Sequence, residues 1–268
     1  MQKNKTMKKI IILILLSTIS CTKGQDKSEN HLSSLHLLGD IKSIVETTYQ
    51  ATVKFGEPVK TNNIYDKKEL FFNDSGYKSI DKDNYSTTYY EYDNHNNLLV
   101  ETKKNSDGSQ IIKFINKYND NDKLIEVETF GYDKDLFKKS KYEYEGNKRI
   151  INSYDKEGEF ESRWVDVLNE KNSVIQSFSY DKNGQLTLEW KFNFDERGNK
   201  TQDVLVKSPY PSQNQREIKE YNEKNEVIKI SNFTFKYKYD EKNNWINKIM
   251  YNQEGIAIQI TERNITYK

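Results

Sequence analysis

Cysteine occurs once in 268 residues, and proline and histidine three times each. A single thiol forms no intramolecular disulfide. One cysteine with three scattered histidines (His31, His36, His95) supplies neither a zinc site nor a Cys/His nucleophile. No G-x-S-x-G elbow and no glycine-rich phosphate loop before a helix is present. Charge of one sign is also lacking, with 42 basic residues against 41 acidic ones. That balance excludes nucleic acid and an acidic membrane surface as indicated partners. The longest apolar run, Ile10 to Leu16, is well short of the ~20 residues of a membrane-spanning helix.

What the chain has instead is aromatics in pattern. Only 34% of residues are hydrophobic, yet there are 19 Tyr, 12 Phe and 3 Trp. Aromatics two apart run straight into Asp/Asn/Gly-rich turns, as in Tyr90-Glu91-Tyr92-Asp93, Phe192-Asn193-Phe194-Asp195 and Tyr237-Lys238-Tyr239-Asp240. A sheet with one wet face reconciles low apolar content with order, because every second strand residue is then free to be charged.

The N-terminus reads as export machinery. Lys3, Lys5, Lys8 and Lys9 precede the apolar run, and small residues lead into Cys21; Met7 would also serve as a start. Residues 1–20 are expected to be a secretory signal. Cys21, placed as in a bacterial lipobox, is expected to carry the lipid that anchors the protein to the membrane, with Thr18 departing from the usual Leu. Residues 21–34 then form the lipidated cysteine and a polar tether, and 35–268 the folded domain. Removing residues 1–20 takes four lysines and no acid, moving the formal charge from +1 to −3.

Turn signals recur every 10–14 residues or so, from Asn73-Asp74-Ser75-Gly76 to Asn252–Gly255. Asp and Asn suit them because their side chains bond nearby backbone, and Gly supplies positive φ. Between turns the residues alternate, with Leu186, Leu188, Trp190, Phe192 and Phe194 against Thr187, Glu189, Lys191 and Asn193. Period two over nine residues is a strand and not a helical stripe. Such short connections permit antiparallel neighbours only. The expected fold is therefore all-β, an antiparallel meander of hairpin repeats, twisted and curled into an open half-shell or trough. Ile41 to Tyr49 reads as a long first strand after a Gly39-Asp40 turn, with a short helix in His31–Leu38. Lys207 to Gln215, with two of the prolines, reads as a loop.

The Tyr-x-Tyr-Asp-x-x-Gly-Asn unit resembles the YD repeats of Rhs-type proteins. The whole of 35–268 is similar to YD-repeat exported lipoproteins of Bacteroidetes-type bacteria. The likeness rests on Leu38-Gly39-Asp40-Ile41-Lys42-Ser43-Ile44, on the degenerate repeats, and on an ending of Tyr239 to Trp245 followed by Ile260-Thr261-Glu262-Arg263-Asn264-Ile265-Thr266-Tyr267. The resemblance implies an outer-membrane or other envelope location and, from Rhs-type repeats, carbohydrate binding or β-shells in long arrays. Too few repeats and no Asp-Pro motif depart from the shell pattern, and Asn243 stands where the turn glycine is usual.

No catalytic residue, cofactor or metal ligand is expected. Asn119 to Asp122 and Asp133-x-Asp135 cluster oxygens without the bidentate Glu of a calcium loop. The candidate ligand-binding residues are the aromatics Trp164, Trp190, Trp245, Phe192, Tyr237 and Tyr239, whose flat faces stack on sugars or anchor protein partners. The expected role is a non-enzymatic, lipid-anchored envelope protein binding a glycan or another envelope protein. Two other readings stay open. One is a carbohydrate-active hydrolase using two of the strand carboxylates Asp166, Glu189, Asp203 and Glu262. The other is a lipid or lipoprotein carrier with an apolar trough.

Overall fold

The computed structural model describes residues 30–209 and 216–268. The signal segment, Cys21 and most of the tether lie outside the described residues, as does much of the 207–215 loop. After a short helix α1 (His31–Ser34), strands follow one another: β1 (Ile41–Lys54), β2 (Glu57–Phe72), β3 (Lys78–Lys82), β4 (Ser86–Tyr92), β5 (Leu98–Asn105) and β6 (Gln110–Tyr118). Next come β7 (Leu124–Phe130), β8 (Leu136–Glu145), β9 (Lys148–Asp155), β10 (Phe160–Leu168), β11 (Val174–Asp181) and β12 (Leu186–Phe194). The last six are β13 (Lys200–Lys207), β14 (Arg216–Tyr221), β15 (Val227–Ile230), β16 (Phe233–Tyr239), β17 (Trp245–Tyr251) and β18 (Ala257–Tyr267).

Each strand pairs antiparallel with its neighbours in sequence, so the expected meander is present. The expected open half-shell or trough is not. β1 pairs with β2 on one side and with β18 on the other, from Ile41 opposite Tyr267 to Gln50 opposite Gln259. The 18 strands form a closed barrel. Closure removes both free sheet edges, which would otherwise present unpaired backbone groups. The two segments that mark the chain's ends in sequence, around Ile41 and around Arg263, are thus strand partners at the seam.

The turns explain the regularity. In Asp93–Asn97 the Asp93 carboxylate accepts from the backbone N–H of His95 and Asn97, and Asn96 sits at φ 64°. The same arrangement recurs at Asn119–Lys123, Asn169–Ser173, Asp181–Gln185, Asn222–Glu226 and Asp240–Asn244. It is a hairpin in which a type I turn is followed by one left-handed residue. Asn243 fills that position at φ 65°, doing the work of the usual glycine.

Register and burial agree on which face is inside. One row runs Tyr144, Arg149, Asp166, Ser177, Trp190, Leu205 across β8 to β13, and Arg149, Asp166, Ser177 and Leu205 are buried. The outer face is charged. On β6, β7 and β8, Lys117 and Lys139 bridge Glu126 and Glu128 at 2.7–3.5 Å. Such pairs on an exposed face contribute little to stability.

The hydrophobic core is small and sits at one end. Leu37 packs on Ile41, Ile44, Leu70 and Phe72, with Leu32, Ile265 and Tyr267 against them. Residues 30–38 lie over this end. Asn30 caps α1 and donates to Ser75 O at 2.8 Å, while the Asn244 amide exchanges two 2.8 Å bonds with Leu38 N and O. Residues 30–34, which the sequence reading placed in the tether, are therefore fixed to the barrel.

Candidate functional site

All six candidate aromatics point into the barrel. Trp164 on β10 stands opposite Ile151 and Ser179. Trp190 and Phe192 stack along β12 with ring centroids 6.3 Å apart and planes 5° from parallel. Tyr237 and Tyr239 are neighbours on β16 at 6.3 Å, and Tyr237 meets Trp245 edge-on at 6.0 Å. Trp245 is buried; the other five rings are half-buried and keep solvent-accessible surface. A ring of this many strands is wide enough for a lumen rather than a solid core.

Trp245 owes its direction to a bulge. The register shifts between Lys238 and Tyr239, so Tyr239 faces Trp245 while Lys238 faces Asn247. Ile246 is left unpaired and turns outward, and Trp245 swings to the inner face. An extra residue in one strand re-aims the side chain beside it. Similar shifts stand at the Tyr end of β4, β6 and β14.

The tyrosines before the turns at the plugged end act as clasps. Tyr92, Tyr118, Tyr144 and Tyr221 each donate from the hydroxyl to a backbone carbonyl on the neighbouring hairpin: Lys78 (2.8 Å), Leu98 (3.0 Å), Leu124 (3.0 Å) and Lys200 (2.7 Å). Burial holds these phenols neutral, pushing Tyr118 up to about 12, with the Asp93 charge adding to the effect.

Among the charged groups on the inner face are two arginine–carboxylate pairs. In the first, Arg149 donates through Nε (3.0 Å) and Nη2 (2.7 Å) to Asp166, whose other oxygen accepts from Ser177 at 2.6 Å. This row has every carboxylate oxygen engaged and belongs to the wall. In the second, Arg263 donates to Glu46 through Nε (3.0 Å) and Nη2 (2.6 Å) across the β1–β18 seam. The Arg263 guanidinium carbon lies 3.4 Å from the Trp245 ring centroid, and Lys248 Nζ lies 5.1 Å from it. Burial lowers Lys248 from the usual ammonium range, opposed by Glu46. Burial likewise raises Glu226, at the start of β15, opposed by Arg263 and Lys248.

The four strand carboxylates of the hydrolase reading are not brought together. Asp166 is spent on Arg149 and Ser177, and Asp203 faces Lys200 at 3.1 Å and Lys219 at 3.9 Å. Glu189 and Glu262 are on the outer face, paired with Lys191 and Lys60. The oxygens of the Asn119 turn are used on the Asn121 and Lys123 amides, and Asp122 accepts from the Asn97 amide. Glu46, Lys248, Arg263 and Glu226 did not emerge as site residues from the sequence. Only Arg263 stood in a recognised motif, and charged strand residues carry no sign of which face they take.

The distal end has a different character. Phe55, Tyr85, Tyr132 and Ile256 occupy its turns with relative exposures of 105%, 77%, 81% and 52%.

No family model matches the chain, and no curated protein does. Among solved structures it is similar to a porin-like protein from Bacteroides uniformis ATCC 8492, with TM-score 0.31 and 10% identity over 84% of this chain and 98% of that one. A porin-like protein from Bacteroides vulgatus ATCC 8482 aligns with TM-score 0.35 and 11% identity over 85% and 99%. A DUF1329 family protein from Desulfovibrio piger ATCC 29098 aligns with TM-score 0.19 and 7% identity over 85% and 86%.

Proposed function

We propose that this chain is a non-enzymatic, lipid-anchored protein of the bacterial envelope whose barrel stands in water and takes carbohydrate into its aromatic lumen. The observation that carries the reading is the division of the wall: rings such as Trp190 and Phe192 face in with accessible surface, and ion pairs face out. A barrel that spans a membrane needs an apolar outer band, and each outward Lys or Arg at its midplane costs about 2–4 kcal/mol. Lys139, Lys191 and Lys236 stand on that face in mid-strand. The lumen lining mixes aromatic rings with charge, which suits a hydroxylated ligand and argues against lipid cargo.

With the lipid on Cys21, nine residues lead to Asn30 at the plugged end, a reach of about 30 Å at full extension. The distal end then faces away from the anchoring membrane. The resemblance to YD-repeat lipoproteins agrees with this reading.

A glycan array probed with the full chain in detergent is the test. A reproducible hit lost in a folded Trp190→Ala variant is the expected result; no hit on any glycan overturns the reading. A second reading, an envelope protein as partner, is favoured by the exposed rim of Phe55, Tyr85 and Tyr132. Crosslinks formed from Tyr132 and absent from Trp190 would favour it.

A further inference from the structure

The Arg263 side chain is 9% exposed, and its Nη1 is buried without a hydrogen-bond partner among the described residues. Its other donors are held by Glu46, so the guanidinium is fixed and the free edge has a set direction. A buried N–H left unpaired is costly, and each such case in a folded protein calls for a reason. Next to it, Lys248 Nζ makes no ion pair within 4 Å among the described residues, although it is on the inner face opposite Thr261 and Tyr237. The cluster thus holds Arg263, already paired with Glu46, and Lys248, which makes no ion pair within 4 Å among the described residues. Glu226 is the other carboxyl within range; burial raises its pKa, and the charges of Arg263 and Lys248 oppose that.

We propose that Arg263 Nη1, Lys248 Nζ and the ring of Trp245 form a subsite inside the barrel for the carboxylate of an acidic sugar, a uronic-acid residue. The proposal rests on the carbohydrate reading above and names the sugar class. The free guanidinium edge donates to one carboxylate oxygen, Lys248 donates to the other, and Trp245 with Tyr237 supplies the apolar side of the pocket. Charge-assisted hydrogen bonds of this kind are about twice as strong as neutral ones. A neutral sugar of the same shape would leave Arg263 Nη1 and Lys248 Nζ unsatisfied, and sites built on unpaired polar groups discriminate strongly against ligands that fail to satisfy them.

The test is tryptophan-fluorescence titration of the full chain with trigalacturonate and with neutral galactotriose, at low and at moderate salt. Trigalacturonate is expected to bind about ten- to a hundredfold tighter than the neutral trisaccharide. The ratio is expected to collapse in Lys248→Gln and to survive in part in Arg263→Lys, which keeps the charge but not the fixed edge. Both variants are checked for the wild-type thermal midpoint; a Lys248→Met variant takes the place of Lys248→Gln if that protein fails to fold. Equal affinity for the two sugars, or an acid preference untouched by both Lys248 substitutions, overturns this subsite while leaving the carbohydrate reading in place. Binding of neither sugar, with no glycan-array hit, overturns both.

Discussion

Arg263 and Glu46 are 217 positions apart in the chain and meet inside the barrel, with Nη2 2.6 Å from the carboxylate. The pair bridges the strands that close the ring, and Thr48 and Thr261 bond beside it at 3.0 Å. A chain built of local hairpins thus has its long-range β1–β18 pairing clamped by a buried charge pair. Backbone pairing along β1 and β18 supplies the register, and Ile44 against Ile265 supplies apolar contact. The ion pair adds specificity, because a slip of one residue would turn Arg263 outward and leave Glu46 alone.

Glu46→Gln should destabilise the barrel by about 3 kcal/mol, since it leaves the Arg263 charge buried with a weaker acceptor. Urea unfolding followed by tryptophan fluorescence reads this directly. A midpoint equal to wild type would mean that the seam holds without the pair.

Removing a clasp should cost less. Tyr118→Phe deletes the donor to Leu98 O while leaving the ring in place. The expected loss is about 1 kcal/mol. Tyr118→Phe and Tyr221→Phe lie on opposite parts of the ring, so their effects should add in the double variant.

Asn172 tests the turn chemistry. It holds φ 56° after Asn169, which accepts from the Lys171 and Ser173 amides. Asn172→Gly should be neutral or slightly stabilising, and Asn172→Val should cost about 1–2 kcal/mol. Thermal melts of both variants decide it; equal midpoints would contradict the left-handed assignment.

Acid should loosen the plug. His31 accepts the Lys78 amide at Nδ1, and burial, aided by the Lys78 charge, lowers its pKa from 6.5 to about 4. The unfolded chain therefore takes up this proton first. The contribution of His31 is complete above pH 6.5 and is lost as pH falls toward 4. Stability of the wild type should drop more steeply over that window than that of His31→Gln, whose amide also accepts a hydrogen bond without titrating. Parallel pH profiles for the two proteins would remove His31 from the account.

Much of the fold was legible because its information is local. Each turn read from the Asp/Asn/Gly signals lies in a strand connection. Three short connections went unread: Phe55-Gly56 between β1 and β2, Asp83-Asn84-Tyr85 between β3 and β4, and Ser231-Asn232 between β15 and β16. Phe55 and Ser231 take positive φ with neither Gly nor Asn at the position. Alternation around Trp190 and Phe192 correctly separated two faces. Trp245 was grouped with them as an aromatic, but its place on the inner face depends on a bulge at Ile246 that no alternation shows.

The sequence by itself determined a β-meander: period-two aromatics, turn residues with left-handed tolerance, and connections too short for anything but antiparallel pairing. Those are properties of ten or so residues at a time. Only the tertiary structure decided that the sheet closes, which face is inside, and that Glu46, Lys248 and Arg263 share that inside with the aromatics. Closure depends on accumulated twist and on a pairing between the two ends of the domain, and no local pattern carries either. Once the ring is closed, inward and outward become different solvents, and the same alternation that built the strands sorts the charges into an outer lattice and an inner site.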